Sequence, residues 1–279
     1  MVRQNKLTVA NLDFYVGTDT NGNKIPIPFE NILITGYSGT GKSMFIHNLI
    51  MDTLLRCTRD KISFKIWSRN GEYDLWDNIY NKNERTRKIP NLKVFRDCNQ
   101  SESGLFITEF LRDAMNVSKI RYDLLNEHNA KNIWRYNLIM RDSGDDEMVP
   151  LVYVVDSWDT ELPEEAIEYF LELMKYNFVT GVSLIWVGQS EKEILNKCSH
   201  DYDFYKFFQS KITFHSSVEN SERVLGSSIA ANEGNHGVLL GECIYQRYYL
   251  PYVPLDVPKF SYSLGKKIAR ALSQEISNL

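Results

Sequence analysis

The sequence predicts an α/β fold with a mostly parallel sheet flanked by helices. Three observations predict it. The run NILIT leads into GYSGTGKS (36–43), which fits the phosphate-loop pattern G-x-x-x-x-G-K-[ST]. Short apolar runs alternate with stretches of helical spacing along most of the 279 residues, the pattern of strands and crossover helices. A later run, PLVYVVD, ends on an acid, Asp156, as the strand that holds a magnesium shell opposite a phosphate loop should.

Taken in order, residues 1–30 form a lead-in in which GTDTNGNK (17–24) reads as a turn between short strands. Strand-like runs follow at 32–36, 62–67, 92–95, 151–155, 183–188, 211–215 and 237–240, and helical spacing at 42–56, 104–127 and 163–177. The acidic stretch RDSGDDEMV (141–149) reads as a loop. NKNERTRK (81–88) reads as a loop whose cations Lys82, Arg85, Arg87 and Lys88 are solvated surface. In residues 261–279, Ile268, Leu272 and Ile276 make one helical stripe, expected to pack on its own domain, with a subunit contact as the alternative. The expected division is a lead-in (1–30), one nucleotide-binding domain (31–260) and a C-terminal helix (261–279).

Composition bounds the function. Hydrophobic residues are 43% and charged residues 24%, and the net charge of −4 gives no overall basic signature of nucleic-acid binding. Contacts to DNA would have to come from local clusters or the inner surface of a ring. Cys57, Cys98, Cys198 and Cys243 are widely spaced and form no C-x-x-C, so neither a zinc site nor a disulfide framework is expected. A reduced, cytoplasmic setting follows. The longest apolar runs, such as LVYVV and VSLIWV, are too short to span a bilayer. The five histidines lack metal-ligand spacing.

The phosphate loop assigns roles by residue type. Gly36, Gly39 and Gly41 let the backbone turn so that the amides of Tyr37, Ser38, Thr40 and their neighbours face phosphate oxygens. The next helix adds its positive end. Lys42 reaches the terminal phosphates of ATP, and Ser43 and Asp156 hold Mg2+. Gln189, in VGQ after the next strand run, lies at a carboxyl end, where ligands bind in such sheets. It is a candidate sensor of the γ-phosphate or an orienter of water.

Several segments resemble the FtsK/SpoIIIE family of DNA-translocating ATPases, within the FtsK–HerA group. VGTDTNGNKIPI, NILITGYSGTGKS, AKNIWRYN, PLVYVVDSWDTEL, GVSLIWVGQS, SKITFHSSVENSERVLG and GNHGVLL are similar, in this order and spacing, to family segments from about residue 14 to 250. The resemblance implies a RecA-like P-loop NTPase core. It also implies a homo-oligomeric, hexameric ring around double-stranded DNA, with ATP hydrolysed between subunits. The expectation is a motor core alone, without membrane anchor or winged-helix tail. Such minimal forms suit mobile elements, with a relaxase, a capsid or a secretion channel as partner.

Three departures from the family pattern, at four positions, stand out. The catalytic glutamate after the strand-end acid is Ser157 here, with Asp159 and Glu161 as nearby carboxylates that could replace it. The trans-acting arginine position holds Phe178, with Lys175 the nearest cation. Two basic positions thought to face DNA align with Val218 and Glu222, next to Arg223. A pore-facing lysine maps to Lys206, with Lys197 as an alternative. These departures keep two rival functions in view. One is an ATP-binding ring subunit or coupling adaptor without sustained turnover. The other is a small-molecule P-loop kinase, against which the AKNIWRYN and SKITFHSS resemblances count.

Overall fold

The computed structural model describes residues 12–57, 61–68, 71–77, 79–81, 84–87, 89, 91–96, 103–156, 162–188, 204–231 and 240–274. The elements are β1 (Ile32–Thr35), α1 (Lys42–Arg56), β2 (Ser63–Ser68), α2 (Asp74–Asp77), β3 (Ile79–Asn81), β4 (Glu84–Arg87), β5 (Leu92–Arg96) and α3 (Ser103–Glu127). Then come α4 (Ile133–Ser143), β6 (Leu151–Asp156), α5 (Glu164–Thr180), β7 (Val182–Val187), β8 (Ser210–Phe214) and α6 (Val218–Leu225). The chain continues through β9 (Glu242–Arg247) and β10 (Val253–Asp256) to α7 (Tyr262–Gln274). Eight strands form one sheet in the order β10-β9-β8-β1-β7-β6-β2-β5. From β8 to β5 all neighbours are parallel, while β9 and β10 add an antiparallel edge. The expected α/β architecture is therefore present.

Alternate residues of the central strands enter two different cores. Ile32 and Ile34 of β1, Val152 and Val154 of β6, and Ile185 and Val187 of β7 pack on one face with α1. Leu33, Tyr153, Val155, Leu184 and Trp186 pack on the other with α3, α5 and α6. A strand covered on both sides has no polar face to show, which is why these runs read as continuously apolar. The strand order puts β1 between β7 and β8, so the loop after β1 opens at the middle of the sheet's carboxyl edge.

The lead-in packs into the first core through Leu12, Phe14, Val16 and Ile27. It is tied by isolated bridges Phe14↔Ile27, Thr18↔Lys24 and Thr18↔Asp256. Residues 84–87 are not loop: β4 pairs with β3 as an antiparallel hairpin. Its charged sequence has no apolar alternation by which a strand would be read. Residues 133–143 form α4, capped where Asn132 accepts from the Arg135 amide at 2.9 Å. In α7, Ala269 is buried and Leu272 packs against the first core. Ile276 and residues 237–239 lie outside the described residues, and Leu240 sits in a turn.

Candidate active site

The phosphate loop joins β1 to α1 through three glycines with positive φ: Gly36 at 140°, Gly39 at 78° and Gly41 at 120°. Side chains other than glycine rarely adopt these values. At Gly36 space is also closed, since a Cβ would lie 2.7 Å from Phe214 Cβ. The loop is held from β8's side by the Tyr37 amide, which donates to the His215 carbonyl at 2.8 Å. Thr40 Oγ1 donates to the Tyr37 carbonyl at 2.8 Å. Tyr37, Ser38 and Gly39 are exposed, and among the described residues no side chain caps the N-terminus of α1. The first amides of that helix are thus left for an anion, as the macrodipole favours.

Lys42, the first residue of α1, is turned under the loop. Its Nζ donates to the carbonyls of Gly36 and Tyr37, each at 2.7 Å. Burial pushes its pKa down, and the negative charges of Asp156 and Glu72 pull it back up. Ser43 follows one residue on. Its Oγ donates to Glu72 Oε2 at 2.8 Å and lies 3.5 Å from Asp156 Oδ2. Asp156 ends β6, buried, and its Oδ2 also accepts a short hydrogen bond from the Tyr73 hydroxyl. Burial, then the negative charge of Asp156, raises the Tyr73 pKa well above the ordinary phenol value. Tyr73 therefore remains a donor.

Glu72 and Tyr73 belong to the turn between β2 and α2. The register pairs Ser68 with Asp156, so this turn emerges beside Asp156 at the same sheet edge. It is anchored twice. Tyr73 holds Asp156, and the Trp76 indole donates to His47 Nδ1 on α1 at 2.9 Å. His47 stacks on Phe260 with ring centres 4.5 Å apart. Sequence reading missed both Glu72 and Tyr73. Their signal was position alone: a Gly-Glu-Tyr-Asp turn at the carboxyl end of the second strand run.

The structure brings Lys42, Ser43 and Asp156 together with the loop 36–41. Gln189, Asp159 and Lys197 lie outside the described residues, as do Ser157 and Glu161. Phe178, near the end of α5, is 59% exposed, and Lys175 pairs with Glu172. Lys206 and Arg223 line one cavity of about 440 Å³, together with Lys211, Tyr248 and Tyr249. Arg223 is also paired with Glu219 at 3.1 Å. Lys211 and its partner Gln246 sit near the amino end of β8, so this cavity is at the opposite end of the sheet from the phosphate loop.

A parallel sheet with a lysine-bearing glycine loop at its carboxyl edge, facing a strand-end acid, defines a P-loop NTPase fold. In sequence the chain resembles the FtsK DNA translocases: it is 26% identical over 188 residues to the DNA translocase FtsK of Clostridium tetani (strain Massachusetts / E88), covering 64% of this chain and 23% of that protein. The chain thus spans about a quarter of that relative's length. No protein-family model matches it. In structure it is similar to the cytoplasmic domain of the Thermomonospora curvata type VII secretion ATPase EccC, with a TM-score of 0.72, 15% identity, and coverage of 96% of this chain and 32% of that one. It is also similar to the pCW3 conjugation coupling protein TcpA, solved as a monomer with ATPγS, with a TM-score of 0.68, 15% identity, and coverage of 94% and 72%. Among the described residues, no helix is long and apolar enough to cross a membrane.

Proposed function

We propose that the chain is an ATPase that moves double-stranded DNA as one subunit of a ring, encoded by a mobile element. What supports this above all is the cluster at the start of α1. Lys42 lies under a loop of three positive-φ glycines, with Ser43 between two carboxylates. A hydroxyl and carboxylate oxygens are hard donors, and that set fits Mg2+. Ser43 and Asp156 would hold the ion, whose charge would offset that of the terminal phosphates. Lys42 would exchange its two carbonyl partners for phosphate oxygens. The uncapped end of α1 would take the remaining phosphate charge. Gln189 would sense the γ-phosphate.

The choice of DNA as cargo follows the FtsK relative, since the likeness to secretion and conjugation ATPases is one of fold. Lys206 and Arg223 are the proposed phosphate-backbone contacts, joined by Lys211 around one cavity. The exposed Phe178 and the serine at position 157 favour a second reading, an ATP-binding adaptor in the ring that recruits a partner protein. ATP turnover measured with duplex DNA, with single-stranded DNA and without DNA decides between them. Strong stimulation by duplex DNA is expected. Negligible turnover throughout would favour the adaptor, and turnover indifferent to DNA would overturn the translocase.

A further inference from the structure

Resting on the ATPase reading above, we propose that Glu72 is the carboxylate that activates the attacking water, a role that Ser157 cannot fill. A serine hydroxyl takes no proton from water at neutral pH, so another carboxylate must serve; Asp159 and Glu161 lie outside the described residues, and among the described ones Glu72 is the carboxylate on Ser43 beside Asp156. Glu72 stands 2.8 Å from Ser43 Oγ, in the turn that follows β2, the strand next to Asp156's own. The two carboxylates are not equivalent. Asp156 is buried at the end of β6, and its Oδ2 is shared by Tyr73 and Ser43. It is committed to the floor of the site. Glu72 is half-buried. Its Oε2 accepts from Ser43, and its Oε1 carries no hydrogen bond among the described residues.

Serine can give an oxygen lone pair to a cation and still donate its hydrogen. A carboxylate accepting that hydrogen would stand close to a bound cation without having to ligate it. Preorganisation comes from the anchors on this turn and on α2, which follows it directly. Tyr73 is fastened to Asp156, and Trp76 to His47, so the carboxylate between α1 and β6 is held by two buried neighbours rather than by a free loop. In the step proposed, the water oxygen bonds to the γ-phosphorus as Glu72 takes one of the water's protons. The bond from phosphorus to the β–γ bridging oxygen breaks, and ADP leaves with that oxygen and its electron pair. The proton then passes from Glu72 to the phosphate product or to solvent.

The test uses the full chain with ATP, Mg2+ and duplex DNA, and compares wild type, Glu72→Gln, Glu72→Asp and the double variant Glu72→Gln/Ser157→Glu. Turnover is read beside two binding measurements, a titration with a fluorescent ATP analogue and a Mg2+ titration of the analogue-loaded protein. Glu72→Gln should lose on the order of 10²- to 10⁴-fold in turnover, while both affinities move by less than about threefold. Glu72→Asp, which withdraws the charge by one methylene, should fall between. Ser157→Glu should restore part of the rate in the Gln background. A Glu72→Gln rate within about threefold of wild type overturns the proposal, as does a loss of Mg2+ affinity that accounts for the loss of rate, which would make Glu72 a metal ligand. If wild type binds ATP but shows no turnover under any condition, the ATPase reading itself fails and takes this assignment with it.

Discussion

Glu30 and Arg247, 217 positions apart in the chain, form a forked ion pair: Arg247 Nε donates to Glu30 Oε1 at 3.0 Å and Nη2 to Oε2 at 2.9 Å. Glu30 is buried, and its Oε1 also accepts from Ser210 Oγ at 2.6 Å, while its carbonyl accepts from Ser183 Oγ at 2.7 Å. Glu30, two positions before the central strand, is thus fastened to β7, β8 and β9 at once. Arg247→Ala should destabilise the fold by about 2 kcal/mol, because it leaves a buried carboxylate short of its partner. The Arg247 side chain is 39% exposed, which holds the cost below that of a fully buried pair. Denaturant titration of the single variant and of Glu30→Gln/Arg247→Ala checks this: the double variant should be the less damaged.

Gly36 and Gly39 separate two costs of the phosphate loop. At Gly39 an added Cβ meets nothing within 4 Å, so Gly39→Ala should lose only the left-handed backbone term, about 1 kcal/mol. At Gly36 the Cβ would also lie 2.7 Å from Phe214 Cβ. Gly36→Ala should therefore cost roughly 3 kcal/mol and lower nucleotide affinity as the loop is pushed off β8. Thermal melts with and without ATP analogue compare the two.

Lys42→Ala removes the ammonium that reaches the loop's carbonyls. Nucleotide affinity should fall by at least about a hundredfold, the scale of one lost charge-assisted contact in a sheltered site. The fold should survive, since Lys42 serves the loop and its ligand. Titration with a fluorescent ATP analogue reads the affinity, and unchanged binding would remove the loop from the mechanism.

His47 supplies a pH dependence. Burial among Tyr73, Trp76 and Phe260 pushes its pKa down to about 4, against an ordinary value near 6.5 in the unfolded chain. The unfolded state binds the proton first, so stability rises with pH between these values. The contribution is complete above about pH 6.5 and is lost as pH falls toward 4, by up to about 3 kcal/mol. Because Nδ1 accepts from Trp76, the neutral ring carries its hydrogen on Nε2. In His47→Phe the stability difference between pH 7 and pH 4.5 should shrink by about 2 kcal/mol. An unchanged slope would show that His47 titrates alike in both states.

What could be read beforehand was what local pattern encodes. The apolar spacing in SMFIHNLIMDTLL marks α1, found at Lys42–Arg56, and the runs ending at Asp156 and Val187 mark β6 and β7. Each strand is buried on both faces, so its own residues announce it. Edge elements do not. In ECIYQR and VPLD, strands β9 and β10, charge and proline interrupt the apolar run, because the sheet's antiparallel edge is covered less completely. Glu72 and Tyr73 stayed hidden for another reason. Their meaning comes from Asp156, more than eighty residues away, through a strand pairing that no spacing within SRNGEYD expresses. The Glu30–Arg247 pair is the same case at greater distance.

The position of β1 between β7 and β8 sets a schedule for making the protein. Its hydrogen-bonding partners on either side are Ile185–Val187 and Ser210–Thr213, so Ile32, Leu33 and Ile34 leave the ribosome about 150 residues ahead of any strand that can pair with them. At synthesis rates of about 5–20 residues per second, that is a wait of roughly ten to thirty seconds. During it the segment that leads into the glycine loop is a short, largely apolar strand with both edges open. The lead-in waits longer still, because Thr18 exchanges both its backbone hydrogen bonds with Asp256. The last strand to be made is the one that lets the first part of the described chain dock.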